Sequence, residues 1–150
     1  MAGKLTPHHV LETCLYATDL SAAEQFYKNV LGLTLLSKVK DRHAFFTLDT
    51  QVLLIFNPES TSIAPPPDAK LPVPPHGTTG QGHVCFSATA DEITAWKHHL
   101  ESNGIKIEAD FMWPTGGRSI YFRDPAANCI EFAEPKIWGF DDTRHSKDAS

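Results

Sequence analysis

The chain has 150 residues, 41% apolar and 21% charged, a size and composition that suit a single compact domain. A net charge of −5 and the lack of a basic run exclude a nucleic-acid track, and no apolar segment is long enough to span a bilayer. Three cysteines are too few and too odd a set for a disulfide framework, and the first residues lack the apolar core of a signal peptide, so a cytoplasmic protein is expected.

The first strand is expected over roughly residues 10–17, through Glu12-Thr13-Cys14-Leu15-Tyr16-Ala17. Ser21-Ala22-Ala23-Glu24 fits a capping box that opens a helix, with Ala22, Phe26 and Val30 as its buried stripe and Gly32 as its left-handed stop. Leu33–Leu36, His43–Thr47 and Val52–Phe56 read as three further strands. Residues 58–79 hold most of the eleven prolines, which cannot enter a sheet interior, and read as a stiff extended linker with His76 at its end. The order then repeats. His83-Val84-Cys85-Phe86-Ser87-Ala88 is a strand, Ile93, Trp96 and Leu100 stripe a helix that Gly104 ends, and Ile105–Ile107, Arg118–Phe122 and residues 128–133 follow as strands. The chain thus reads as one domain, 1–150, made of module 9–57 and module 80–134 joined by the proline-rich linker. The tail beyond Pro135 is polar apart from Trp138 and Phe140 and is expected to pack loosely.

Glu12, His83 and Glu131 fall at corresponding places in these modules. Side chains two apart on a strand share a face, so Glu12 with Cys14 and Tyr16, His83 with Cys85 and Ser87, and Cys129 with Glu131 and Ala133 each point one way. Two carboxylates and an imidazole suit a divalent cation with positions left open for substrate or water. Each has an ordinary alternative: an ion-paired Glu131, a hydrogen-bonded His83, a solvated Glu12. Glu131 stands out because a carboxylate inside Cys-Ile-Glu-Phe-Ala is costly unless paired or bound to a cation. The cysteines beside these residues fit small buried apolar side chains better than zinc thiolates.

Three stretches carry a family resemblance covering about residues 9–134. They are Glu12 through Asp19-Leu20 and Phe26-Tyr27 to Leu31-Gly32-Leu33; Gly82-His83-Val84-Cys85-Phe86; and Tyr121-Phe122-Arg123-Asp124-Pro125-Ala126-Ala127-Asn128-Cys129-Ile130-Glu131. In this order and spacing they resemble the vicinal-oxygen-chelate superfamily of glyoxalases, extradiol dioxygenases and bleomycin and fosfomycin resistance proteins. The resemblance implies an α+β glyoxalase/dioxygenase-like fold of two βαβββ modules forming a curved mixed sheet. It implies one divalent metal ion (manganese, nickel, zinc or iron) on Glu12, His83 and Glu131, a small-molecule substrate, and a homodimer that binds neither nucleic acid nor membrane. The chemistry expected is of lyase or isomerase type on a chelating oxygenated molecule, with Glu131 or Glu12 as the proton-transfer group. A ferrous ring-cleaving dioxygenase and a metal-free drug-binding protein of the bleomycin-resistance kind are the alternatives. Glyoxalase I has a further glutamate, ligand and base, where this chain has about Leu54.

If Arg123 pairs with Cys129, then Tyr121 lies opposite Glu131 and Ser119 opposite Ala133. Fosfomycin-resistance relatives bind substrate with a serine and a tyrosine at matching positions, so Ser119 and Tyr121 are expected in the site, Tyr121 also as a catalytic group. Arg118 and Arg123 are candidates to steer an anionic substrate, with solvation or pairing to Asp124 as the ordinary alternative, while Phe46, as counterpart of Tyr121, is expected to form an apolar wall. His76 is a candidate lip. Trp113, with Phe111 and Pro114, leads into Gly116-Gly117, a candidate lid. His43 is left between substrate contact and a plain strand histidine, and His98-His99 are expected in solvent.

Overall fold

The computed structural model describes residues 5–142. These divide between Thr79 and Gly80 into two units, and hydrogen bonding gives each its own mixed sheet of four strands.

In the first unit β1 (Glu12–Tyr16) leads into helix α1 (Leu20–Gln25), which continues as a π-helical turn, Phe26–Val30. Strands β2 (Thr34–Val39), β3 (His43–Thr47) and β4 (Val52–Phe56) complete the sheet in the order β1-β4-β3-β2, with β1 parallel to β4. A parallel pair needs a long crossover, and α1 lies on that path. The helix is capped by Asp19, whose carboxylate accepts from Ala22 N at 2.9 Å, and not by a box from Ser21. Its buried stripe also differs from the expected four-residue spacing. In the π turn Leu31 N donates to Phe26 O, which inserts one residue per turn, so Ala23, Phe26, Tyr27 and Leu31 are buried while Val30 is half-exposed. Gly32 closes the helix at φ +72°, as expected. Leu15, Ala44, Phe46, Leu53 and Ile55 form the core against this helix.

The proline-rich segment does not run on as an extended linker. It opens with a short helix, α2 (Pro58–Thr61), capped by Asn57, and returns so that His76 N donates to Thr61 O at 2.9 Å. The Tyr16 hydroxyl lies 2.7 Å from His76 Nδ1 and fixes this strap to β1.

The second unit repeats the plan with β5 (His83–Ser87), α3 (Ala90–Ser102), β6 (Ala109–Met112), β7 (Arg118–Arg123) and β8 (Cys129–Ala133), in the order β5-β8-β7-β6. Here the capping box is complete: Glu92 N donates to Thr89 Oγ1 and Thr89 N to Glu92 Oε2. Ile93 and Leu100 are fully buried and Trp96 stacks on Phe132 at 4.6 Å, while His98 and His99 are exposed. Residues 105–107, expected as a strand, are a connection, and regular pairing with β7 begins only at Ala109.

The β7–β8 hairpin explains why Asp-Pro-Ala-Ala-Asn stands there. Asp124 Oδ1 accepts from Ala126 N and Asn128 N, and Ala127 takes the left-handed conformation at φ +65°. Buried Asn128 donates to Asp124 Oδ2 and accepts from Gly82 N at 2.7 Å, joining the hairpin to the entrance of β5. A 3₁₀ turn, Pro135–Trp138, follows, with Trp138 and Phe140 exposed.

Candidate metal centre

Parallel pairing of β5 with β8 sets His83 beside Cys129 and Cys85 beside Glu131. Glu131 is 5% exposed, yet its Oε1 is buried without a hydrogen-bond partner. Its Oε2 lies 3.2 Å from His83 Nε2. His83 Nδ1 is 2.9 Å from the Cys129 carbonyl oxygen, which can only accept, so Nδ1 carries a proton and Nε2 is the nitrogen turned towards Glu131. At this distance a proton or a cation between Nε2 and the carboxylate oxygen would satisfy both. A backbone carbonyl that fixes the tautomer is the usual support of a metal-binding histidine. The orphaned oxygen, the oriented nitrogen and the half-exposed ring therefore fit a divalent ion with an open side.

The hairpin brings its residues to the same place in the expected register: Arg123 with Cys129, Tyr121 with Glu131, Ser119 with Ala133. Burial, and then the Glu131 carboxylate, push the Tyr121 hydroxyl up to about 12, so it is a neutral donor at ordinary pH. The surrounding protein and the same carboxylate push the Cys85 thiol up to about 12 as well, which removes it as a thiolate. Ser119 is fully buried and its Oγ accepts from Trp113 Nε1 at 2.8 Å.

Phe111, read from the sequence only as part of a lid, stacks on Tyr121 at 5.9 Å, and Tyr121 stacks on His83 at 6.3 Å. An aromatic shelf thus adjoins the pair. Its signal was the pairing of Phe111 with Ser119, which the misplaced strand at 105–107 concealed. The candidate lid is a tight turn closed by Trp113 N to Gly117 O and Gly116 N to Trp113 O. Gly117 packs so closely on Ile137 that an added Cβ would lie 2.6 Å from it.

Arg118 lies on the opposite face of β7. Its guanidinium donates to both Asp110 oxygens, at 2.8 and 2.9 Å, and to Thr94 Oγ1 at 2.7 Å. Alternation puts its neighbour Ser119, not Arg118, on the Glu131 side, so Arg118 is a strut under α3 and not a substrate contact. Arg123 shares the Tyr121 side but is engaged by Glu108, Gln81 and the Ala127 carbonyl.

In the first unit Glu12 is exposed at the start of β1 and lines a cavity of about 840 Å³ together with Leu54, Phe45, Phe56, His43 and His76. Leu54 pairs with Cys14 as Glu131 pairs with Cys85, so this unit has an apolar side chain where the other has its carboxylate. By the same register Phe45, opposite Leu54, is the counterpart of Tyr121. Phe46, expected as the wall, is 0% exposed and packs on Tyr27 at 5.6 Å in the core, one residue out of phase with the cavity. His76 stands on the cavity lining, held by Tyr16. The structure thus joins His83, Glu131, Tyr121, Ser119 and Trp113 in one unit and places Glu12, His76 and Phe45 in the other. Among the described residues no group of three or more His, Cys, Asp and Glu side chains is gathered tightly enough to hold a metal ion.

Residues 6–132 match the sequence model of the Glyoxalase/Bleomycin resistance protein/Dioxygenase superfamily. The crystal structure of lactoylglutathione lyase from Agrobacterium tumefaciens is 44% identical in sequence, with a TM-score of 0.84 over 91% of this chain and 100% of that one. The uncharacterized protein YaeR of Escherichia coli (strain K12) is 32% identical over 136 residues, 89% of this chain and 99% of its own. A glyoxalase/bleomycin resistance protein/dioxygenase from Nocardioides, 23% identical with a TM-score of 0.68 over 88% of this chain and 86% of its own, shares the fold. Paired βαβββ modules, the hairpin built on Asp124 and Asn128, and these matches lead to one conclusion: the chain belongs to the Glyoxalase/Bleomycin resistance protein/Dioxygenase superfamily.

Proposed function

We propose that the protein is a divalent-metal-dependent enzyme of the glyoxalase type, with lyase or isomerase chemistry on a small molecule that offers two adjacent oxygens. One observation carries the reading: His83 Nε2, oriented by the Cys129 carbonyl, faces Glu131 Oε2 at 3.2 Å while Glu131 Oε1 is buried and unpartnered. His83 and Glu131 would hold the ion, with Glu12 as the third donor that the family resemblance implies. Bound there, the ion would supply Lewis-acid stabilisation of negative charge developing on a substrate oxygen.

The chain's own groups divide the remaining work. Tyr121, kept neutral, donates a hydrogen bond to a substrate oxygen beside Glu131. Glu131 or Glu12 takes and returns the substrate proton as its carboxylate. Ser119, fully buried, positions the Trp113 indole by accepting from its Nε1, and the shelf of Phe111 and Trp113 keeps water off one side of the substrate. The 44% identity to a structure described as a lactoylglutathione lyase supports this class of chemistry. Leu54 sets a limit to the likeness, because it supplies neither a fourth ligand nor a second base in the first unit.

The working form in this reading is a cytoplasmic homodimer, in keeping with the family, and no helix among the described residues is long and apolar enough to cross a membrane. The test is elemental analysis of the purified protein after reconstitution with manganese, iron, nickel and zinc, beside a His83→Ala, Glu131→Ala double variant. About one ion per chain, absent from the variant, is expected. No specific metal in either protein would overturn the reading.

A further inference from the structure

We propose that the first unit carries a binding slot for an organic anion with a flat apolar body, clamped through Arg42 above the His43 ring. The cavity measures about 840 Å³, within the range of small-molecule sites. Its floor is aromatic: the His43 ring stacks on Phe45 at 3.8 Å and 10°, and Phe56 meets Phe45 edge-on at 5.1 Å. Its roof is the strap, where Pro65, Pro66 and Pro74 offer flat apolar rings and no backbone donors. The strap is held at both ends by the short helix α2 and by His76, which bonds Thr61 and Tyr16. Two stiff surfaces enclosing an apolar space suit a planar guest and impose little ordering cost when it enters.

The polar groups on this lining define the guest's charge. Arg42 is half-buried, and among the described residues no carboxylate pairs with it. A guanidinium beside a low-dielectric wall is a strong, geometrically selective receptor for a carboxylate or phosphate. His43, next in the chain, has a buried Nδ1 with no hydrogen-bond partner, while its Nε2 lies 3.2 Å from Ser37 Oγ. Burial, and then Arg42, hold the ring below its ordinary pKa, so it is neutral. The buried Nδ1 is out of a guest's reach, so the neutral ring serves as an apolar floor and Arg42 is the donor for the anion. Glu12 is the other charge on the lining. The identification of the bound anion as substrate rests on the metal-enzyme reading, in which Glu12 is neutralised by the cation; the slot itself rests on unit-one geometry.

The test is calorimetric titration of the full-length protein with 2-naphthoate and with its neutral analogue 2-naphthalenemethanol. Wild type is expected to prefer the carboxylate at least about tenfold. Arg42→Gln should bring naphthoate down to the level of the alcohol and leave the alcohol unchanged, whereas Arg42→Lys should keep part of the preference. The preference should survive in the His83→Ala, Glu131→Ala variant, because neither residue lines the slot. Equal binding of the two probes, no binding of either, or a preference lost in the metal-ligand variant but kept in Arg42→Gln would each overturn the proposal. Naphthoate binding by a wild type that takes up no specific metal would leave the slot standing and remove only the metal reading.

Discussion

Glu131 occupies a place that a lone carboxylate tolerates badly, and that makes it open to a sharp test. At about pH 8.5 and with metal chelated, Glu131→Gln replaces the carboxylate oxygen facing His83 Nε2 with an amide that can donate to it. The variant should then be more stable than wild type by about 1 kcal/mol, or roughly 2–4 °C in melting midpoint for a chain of this size. Saturating metal should reverse the order. An ion at a hundredfold over its Kd adds about 2.7 kcal/mol to a protein that binds it, and the variant has lost that ligand. Melting curves with chelator and with metal measure both arms, and a variant less stable in both would show a protonated His83–Glu131 bridge instead. The neighbours Phe45 and Phe46 give a second test at this scale. Phe46→Ala opens the core against Tyr27 and should cost about 3–5 kcal/mol, while Phe45→Ala, on the cavity side, should cost distinctly less. Urea unfolding of the two variants decides whether the register is right.

Elements show where sequence patterns carry far and where they stop. The β7–β8 register was legible because Asp124 to Asn128 is a local turn with its own hydrogen bonds, and pairing counted outward from it put Tyr121 beside Glu131. Phe46 was misplaced because counting along β3 had no such anchor, and a one-residue slip exchanges the faces. The α1 stripe failed for a related reason, since nothing in Phe26-Tyr27-Lys28-Asn29-Val30 announces a π turn. Arg118 shows that charge alone does not name a face. With Lys97 it holds the Asp110 carboxyl well below the usual range, the Arg118 hydrogen bonds acting first. A depressed folded pKa means that this support is complete above the unfolded value of about 3.9 and is lost as pH falls below it. Asp110→Asn should therefore cost about 1 kcal/mol at neutral pH, after allowance for solvent screening, and should flatten the fall in stability between about pH 4 and pH 2. Urea titrations across that range measure the slope, and equal slopes for both proteins would reject the clamp.

For the whole molecule, the doubled βαβββ order was readable because each module repeats its own periodicities, and the family motifs fall at matching places in both. The strap was not. Proline excludes residues 58–79 from a ladder, but the contacts that turn them back, His76 with Thr61 and with Tyr16, join residues far apart in sequence and leave no local pattern. Glu12 poses the remaining question at this scale, because it lies in the first unit while His83 and Glu131 lie in the second. It is exposed on the lining of its own cavity, so its replacement by glutamine should change the metal-free stability by no more than about 0.5 kcal/mol. If Glu12 completes the metal site, the same substitution should remove most of the rise in melting midpoint that metal gives wild type, and chelator competition should show weaker binding of the ion. The two readouts separate an effect on the ion from an effect on folding: an unchanged baseline with a lost metal response means that Glu12 acts on the bound ion. A Glu12→Gln protein that kept the full metal response would remove Glu12 from the site and leave His83 and Glu131 as its protein ligands.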